Sequence, residues 1–464
     1  MVASISLSAT KAFEGPPPKP RVVIVGAGFG GLAAAHELRH CDADVVLIDR
    51  RNHHIFQPLL YQVATAVLPP SDVAAPLRAL ARKQRNLCVV LGEVVAVDRG
   101  ARCVEVDSPG LERRRIGYDF LVLAPGASPS YFGHDEFRTH APCLKNLADA
   151  ELVRSRILGA YERAEATNDL VERVRALTFV LVGAGPTGVE LAASIAHMAR
   201  VTLRSSFRRI DPETTRIVLV EGAPRILGAF SEPLAAAAVE RLRALGVEIR
   251  TRAMVTAVDE NGVTIQGERI ESRTVLWTAG VQAPALTRTL GVQTDKAGRL
   301  SVDGSLTLAD DRDVYAVGDV ASVTQDGHPV PGIVQAALQQ GRHAGRSIAA
   351  RLKFMAPPAP FRYADRGTMA VVGKNFALLQ RGRLSSSGFV TWWLWAFVHD
   401  VYLPQVQNRL RVQLQWLWSY FSGQRGALLI PEPLPAGPPA LRSIALPTPE
   451  PPSANAIAAG HSVA

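Results

Sequence analysis

One pattern occurs twice in this chain: a β-branched run, a GxGxxG turn, and a stretch that favours helix. Val22 to Val25 lead into Gly26, Gly28, Gly30 and Gly31, and Phe179 to Val182 lead into Gly183, Gly185 and Gly188. An unbroken apolar run of this kind reads as a strand covered on both faces, which belongs in a parallel sheet. At each turn the first glycine makes the tight bend and the second lets the backbone approach a pyrophosphate. The third lets the helix pack closely on the strand. The expected fold is therefore α/β, with two dinucleotide-binding folds in tandem. Each pattern is followed by a strand ending in an acid. DVVLID ends at Asp49, about 20 residues on, where a carboxylate can accept from a ribose. RIVLVE ends at Glu221 after a longer gap, with residues 200–214 read as an inserted loop.

The 464 residues suffice for two or three domains. Leu87 to Val97 and Cys103 to Val106 read as a small antiparallel insertion. FLVLAPGAS returns to a buried strand ending near Gly126, and residues 146–176 have helical spacing. Hairpins around Asn261-Gly262 close on Gly280, and a strand from Val314 delivers Gly318-Asp319. The boundaries that follow assign 21–150 with 295–355 to the first fold, 151–294 to the second, and 356–430 to a C-terminal region. Residues 1–20 and the Pro- and Ala-rich 431–464 read as flexible. The four cysteines are scattered without CxxC or metal-ligand spacing, so no metal is expected. The N-terminus lacks a secretory pattern, and no apolar run is long enough to span a bilayer.

Two dinucleotide folds, with the Asp319 segment returning to the first, resemble the two-dinucleotide flavoproteins. That resemblance implies FAD in the first fold, NAD(P)H in the second, and Asp319 hydrogen-bonding the flavin's ribityl or phosphate oxygens. Within it, HHIFQPLLYQVATAVLPPSD from His53 and PGIVQAALQQG from Pro331 resemble type II NADH:quinone oxidoreductases. The first stretch implies a loop over the cofactor, with Gln57 among the binding residues. The second implies a quinone-site helix carrying Gln335 and Gln339, whose spacing puts both amides on one face. Glu190 matches the glutamate of the family's GxGxxGxE, expected near nicotinamide and flavin as a positioning or proton-handling group. Its plainer reading is helix-dipole stabilisation. Glu221 implies NADH over NADPH. Pro125 stands where relatives commonly carry threonine, and LPQVQNRL from Leu403 is less apolar than its counterparts.

The stretch from Gly388 to Phe421 holds five of the six tryptophans. Its first half is too short to span a bilayer, and Val406, Leu410, Leu414, Leu417 and Phe421 follow helical spacing, which describes an interfacial helix. Alternation from Arg411 to Trp416 also permits a strand. The net charge of +9 calls for an acidic partner, and basic residues concentrate beside these tryptophans. With no nucleic-acid fold present, an anionic lipid surface is the expected partner and nucleic acid is not. A homodimer interface is the other use of the same face. The combination implies a peripheral enzyme on the cytoplasmic face of a bacterial inner membrane, taking electrons from NADH through FAD to a membrane quinone without proton pumping. Two rivals share the pattern. A sulfide:quinone oxidoreductase needs catalytic cysteines, for which Cys143 has no evident partner; an NADH-sensing flavoprotein would leave the glutamine helix without a purpose.

Overall fold

The computed structural model describes residues 19–430. The ends expected to be flexible lie, apart from Lys19 and Pro20, outside the described residues. The first fold opens with β1 (Arg21–Val25), α1 (Phe29–Glu37) and β2 (Asp44–Asp49), and every residue of β1 is buried. A short helix, α2 (Leu60–Ala64), is wholly buried in the loop that follows, ahead of β3 (Leu87–Leu91). β4 (Phe120–Leu123) pairs in parallel with β1 on the side opposite β2. β3 lies parallel to β2 and so belongs to the main sheet. Only Glu93–Asp98, Cys103–Asp107 and Arg114–Gly117 form the antiparallel insertion expected here. Gly92 divides the two, its N–H donating to the Asp49 carbonyl at 2.9 Å as the last bond of the parallel ladder.

The chain crosses to the second fold through β5 (Ser128–Pro129) and α3 (Leu147–Ala166), the latter started by an Asn146–Asp149 capping box. There β6 (Thr178–Val182), α4 (Pro186–His197), β7 (Arg216–Val220), β8 (Val247–Arg250) and β9 (Thr274–Trp277) follow. The four strands form a parallel sheet in the order β8-β7-β6-β9. The chain returns through β10 (Val281–Gln282), antiparallel to β5. β11 (Thr307–Leu308) and β12 (Asp311–Ala316) then complete the first sheet, β12 lying parallel to β4. α5 (Val334–Leu352) closes on α1. A Cβ on Gly341 would lie 2.1 Å from the Gly30 carbonyl, so Gly30 and Gly341 permit this contact.

A three-stranded antiparallel sheet (Thr368–Val371, Ala377–Arg381, Leu384–Gly388) leads into α6 (Phe389–Val401) and α7 (Val406–Ser422). The stretch from Arg411 to Trp416 is helix. Asn408 and Val412, four residues apart, are the buried positions that seat it. The Asn408 amide donates to the carbonyls of Ser71, Asp72 and Ala74 at 3.1, 2.9 and 3.0 Å. Beyond α7, the buried Arg425 donates to the carbonyls of Thr65 and Ser194, joining the end of α2 to α4. Carbonyls near helix C-termini carry the negative end of the helix dipole and suit a buried cation.

Candidate active site

The two glycine turns are built alike, down to the bonds of their acids. Asp49 accepts from the Ala27 N–H at 2.7 Å and from the Arg51 N–H at 2.8 Å. Glu221 accepts from the Ala184 N–H at 2.7 Å and from the Ala223 N–H at 2.9 Å. Each acid thereby fastens its own strand to the glycine turn of the strand beside it. Gly26 and Gly183 sit at φ of 97° and 102°, which only glycine adopts freely. A Cβ on Gly31 or Gly188 would lie 1.9 Å from the carbonyl of Gly26 or Gly183 respectively. Gly28 and Gly185 precede the helices, and nothing lies within 4 Å of where their Cβ would be. The result is two open helix N-termini with unspent N–H groups, a fitting seat for a pyrophosphate. Thr278 donates to the carbonyls of Val182 and Gly183, so the chain reaching Gly280 (φ 70°) closes the second turn.

Beyond the second turn lies a cavity of about 120 Å³, walled by α2, α4, α6, α7 and the strap after α7. Its lining is aromatic and apolar, with Tyr61, Trp392, Trp395, Trp416 and Tyr420 around Glu190, His197, Lys374 and Arg425. Glu190 retains some accessible surface, and it borders this cavity. Burial pushes its carboxyl up to about 8, against the opposing effect of a 3.2 Å bond from the Val371 N–H. Burial lowers His197 to about 4, helped by Arg425 and Lys374, so His197 is neutral while Arg425, lowered by burial to about 9, keeps its charge. Gln62 accepts from the Trp416 indole at 2.7 Å. Trp395 Nε1 and Arg425 Nε are buried without a hydrogen-bond partner.

Residues 20–341 match the pyridine nucleotide-disulphide oxidoreductase family. The chain is 42% identical to a type II NADH:quinone oxidoreductase of Mycobacterium tuberculosis, over 89% of this chain and 91% of that protein. A second such enzyme of M. tuberculosis is also 42% identical, over 88% of this chain and 89% of its own. The chain belongs to the type II NADH:quinone oxidoreductases. In fold it is similar to NDH2 of Plasmodium falciparum in complex with NADH, at a TM-score of 0.80 and 18% identity, covering 88% of this chain and 99% of that one.

For a type II oxidoreductase, FAD and NADH are the groups the two cradles must hold, and their open helix N-termini fit them. Asp319 lies in the turn Gly318–Val320, close enough to the half-buried Lys145 to counter the lowering of that ammonium by desolvation. Gly126, at φ 74°, has nothing within 4 Å of its Cβ position, and Gln57 is exposed at the start of the turn before α2. Pro125 lies against the first turn, its Cα 3.0 Å from where a Gly26 Cβ would be.

The glutamine pair behaves unequally. Gln339 donates to the Ala364 carbonyl at 3.0 Å and accepts from the Ala364 N–H at 2.9 Å, so both ends of its amide hold the segment before the C-terminal sheet. Gln335 donates to the Gly367 carbonyl at 3.1 Å, while its Oε1 is buried without a partner. Neither lines the cavity, whereas Glu190 does. Sequence reasoning missed Trp395 and Arg425 as site residues. The tryptophan cluster was a signal for the first; Arg425 stood out only as one more basic residue. All four cysteines are free, and Cys143 meets Asp149 at 3.5 Å rather than another thiol.

Proposed function

We propose that this chain takes a hydride from NADH on its second fold (151–294) to FAD on its first (21–150 with 295–355). Two electrons then pass to a membrane quinone in the aromatic cavity, and no proton is pumped. The observation that carries this reading is the cavity. An apolar, aromatic enclosure beside a protonated carboxyl suits a flat, apolar ring with carbonyl oxygens. FAD, when bound, would accept the hydride of NADH and pass on its two electrons. The chain's own residues do the rest: Gly28 and Gly185 open the cradles, Asp49 and Glu221 receive ribose hydroxyls, and Asp319 meets the ribityl or phosphate oxygens. Glu190 holds a proton at the cavity wall. The test is anaerobic stopped-flow absorbance of the yellow protein, mixed with NADH and then with a short-chain quinone. Fast bleaching followed by fast reoxidation supports the reading; bleaching with no reoxidation by quinone overturns it.

The indole of Trp395, in the cavity wall, gives this site its own prediction. Trp395→Phe keeps the ring's packing and removes one N–H. It is expected to raise the quinone KM by roughly fivefold to tenfold, the worth of one hydrogen bond, with NADH bleaching unchanged. An unchanged quinone KM would remove Trp395 from the site.

The Glu221 carboxylate, already fixed by two backbone N–H groups, would meet a 2′-phosphate with like charge. Glu221→Gln is therefore expected to lower the ratio of kcat/KM for NADH to that for NADPH by about tenfold or more. A ratio equal to the parent's would show that selectivity lies elsewhere.

Region 356–430 is proposed as the membrane-seating part, on the cytoplasmic face of the inner membrane. Phe389, Trp393 and Phe397 of α6 and Leu414, Leu417, Trp418 and Phe421 of α7 are exposed. Among the described residues no helix is long and apolar enough to cross a membrane. A face of this kind lies flat in the interface, with Arg409 and Arg411 near anionic headgroups. Trp393→Glu combined with Phe397→Glu should move the protein from pelleted anionic vesicles to the supernatant. If the pair instead changes only sedimentation of the free protein, the face serves a homodimer.

A further inference from the structure

Phe132 sits where neither backbone preference nor burial accounts for it. Its φ is 54°, the left-handed region that a bulky aromatic residue rarely enters. The residue is 65% exposed, although its ring lies 6.5 Å from that of Trp277. Strained residues persist where the surroundings hold them, and they concentrate at ligand sites. The surroundings here are specific. β5 and β10 pair across the crossing between the two folds, with Ser128 opposite Gln282 and Pro129 opposite Val281. The Ser130 N–H then donates to the Gly280 carbonyl at 3.3 Å, and the Trp277 indole donates to the Ser130 carbonyl at 2.9 Å. Ser130 Oγ accepts from the Phe132 N–H at 3.3 Å, which fixes the left-handed turn. The ring tip rests on Gly280, since a Cβ there would lie 2.5 Å from it.

Gly280 is two residues past Thr278, whose hydroxyl binds the second glycine turn, and Ala279 lies directly against Gly183. A dinucleotide whose pyrophosphate rests at the start of α4, with its adenosine end at Glu221, must send its other end along the edge where β9 finishes. Gly280 marks that edge, and Phe132 caps it. We propose that Phe132 is a further NADH-binding residue, its ring forming the apolar wall against which the nicotinamide end of NADH packs. Its chemistry suits both forms of that ligand. A dihydronicotinamide ring gains from aromatic packing, and the pyridinium of the product is attracted by an aromatic face. The strain then has a use, since the left-handed turn at this position carries the ring back over Gly280. The inference rests on the second fold being the NADH site.

Phe132→Gly and Phe132→Tyr test it. Glycine adopts a φ of 54° freely, so its loss of the ring comes with relief of strain. The glycine variant is expected to keep its flavin and to melt no lower than the parent. Its NADH concentration for half-maximal bleaching should rise roughly fivefold to tenfold, and inhibition by NAD should weaken in parallel. Reoxidation by quinone should be unchanged, and the tyrosine variant should match the parent. Half-saturation by NADH within twofold of the parent in the glycine variant overturns the proposal. So does a shift in NADH half-saturation matched by one in the quinone KM, which would mark a general distortion. If the parent itself is not bleached by NADH, it is the underlying reading that fails, and the two failures are told apart by that control.

Discussion

Gly31→Ala is expected to purify without flavin, and Gly188→Ala to purify yellow but resist bleaching by NADH. Both changes add one methyl group, and in both it lands 1.9 Å from a backbone carbonyl, that of Gly26 or of Gly183. Carbon and oxygen in contact need well over 3 Å, so neither side chain nor rotamer can absorb the overlap; α1 or α4 must lift from its strand. Lifting moves the open N–H groups at the helix start, which are what a pyrophosphate binds. Overpacking of this kind costs about 1–3 kcal/mol when side chains can yield, and more where both partners are backbone. The affinity of the affected cradle should fall by about a hundredfold or more. At Gly188 the methyl also meets Thr278 Oγ1 at 2.8 Å, which would loosen the closure of the second turn. Gly28→Ala separates fold from binding: nothing lies within 4 Å of its added methyl, so it should melt with the parent, while the methyl stands where the pyrophosphate approaches and flavin content should fall. Flavin content and NADH-dependent bleaching of the three proteins measure this directly. A Gly31→Ala protein with full flavin, or a Gly188→Ala protein bleached at the parent's rate, would refute the division of labour between the two folds.

What could be read from the sequence was what is encoded in contiguous residues. Strand, glycine turn and helix follow one another in β1 and α1, and again in β6 and α4, and each acid ends its own strand, so chain order alone supplies the cradle. Leu87–Leu91 was harder, because its role depends on whether the ladder continues past Gly92; nothing in the residues themselves says that it pairs with Asp44–Asp49. Spacing put Gln335 and Gln339 on one face of α5, and it could not say that Ala364 would occupy both ends of the second amide. The alternation from Arg411 to Trp416 was resolved by Asn408 and Val412, whose burial against the first fold selects helix. The cavity was the least legible element. Tyr61, Glu190, Lys374, Trp395 and Arg425 come from segments far apart in the chain, and only tertiary packing brings them to one wall.

The second large effect concerns Glu190. Burial raises its carboxyl to about 8, so at neutral pH it is mostly protonated and can give a proton to a reduced quinone. The neighbouring groups leave it that role: His197, lowered to about 4, has no proton to give, and Arg425 is tied by its guanidinium to two carbonyls. Reoxidation of the flavin by quinone should therefore decline as pH rises through about 8, while bleaching by NADH should not share that titration. In Glu190→Gln, reoxidation should fall by roughly a hundredfold, the usual worth of a positioned acid, and lose the pH dependence. Stability gives a separate readout with a definite sign. Between the ordinary glutamate value of 4.5 and about 8, the folded chain holds a proton that the unfolded chain has released. Folding stability must then fall with rising pH across that window. Glutamine cannot titrate, so the variant's melting temperature should gain on the parent's steadily from pH 5 to 8. A constant difference across that range would mean that Glu190 is ionised in the folded protein, and with it the proton-donor role would go. A steady gain with unchanged quinone kinetics would keep the buried proton but assign its delivery to water.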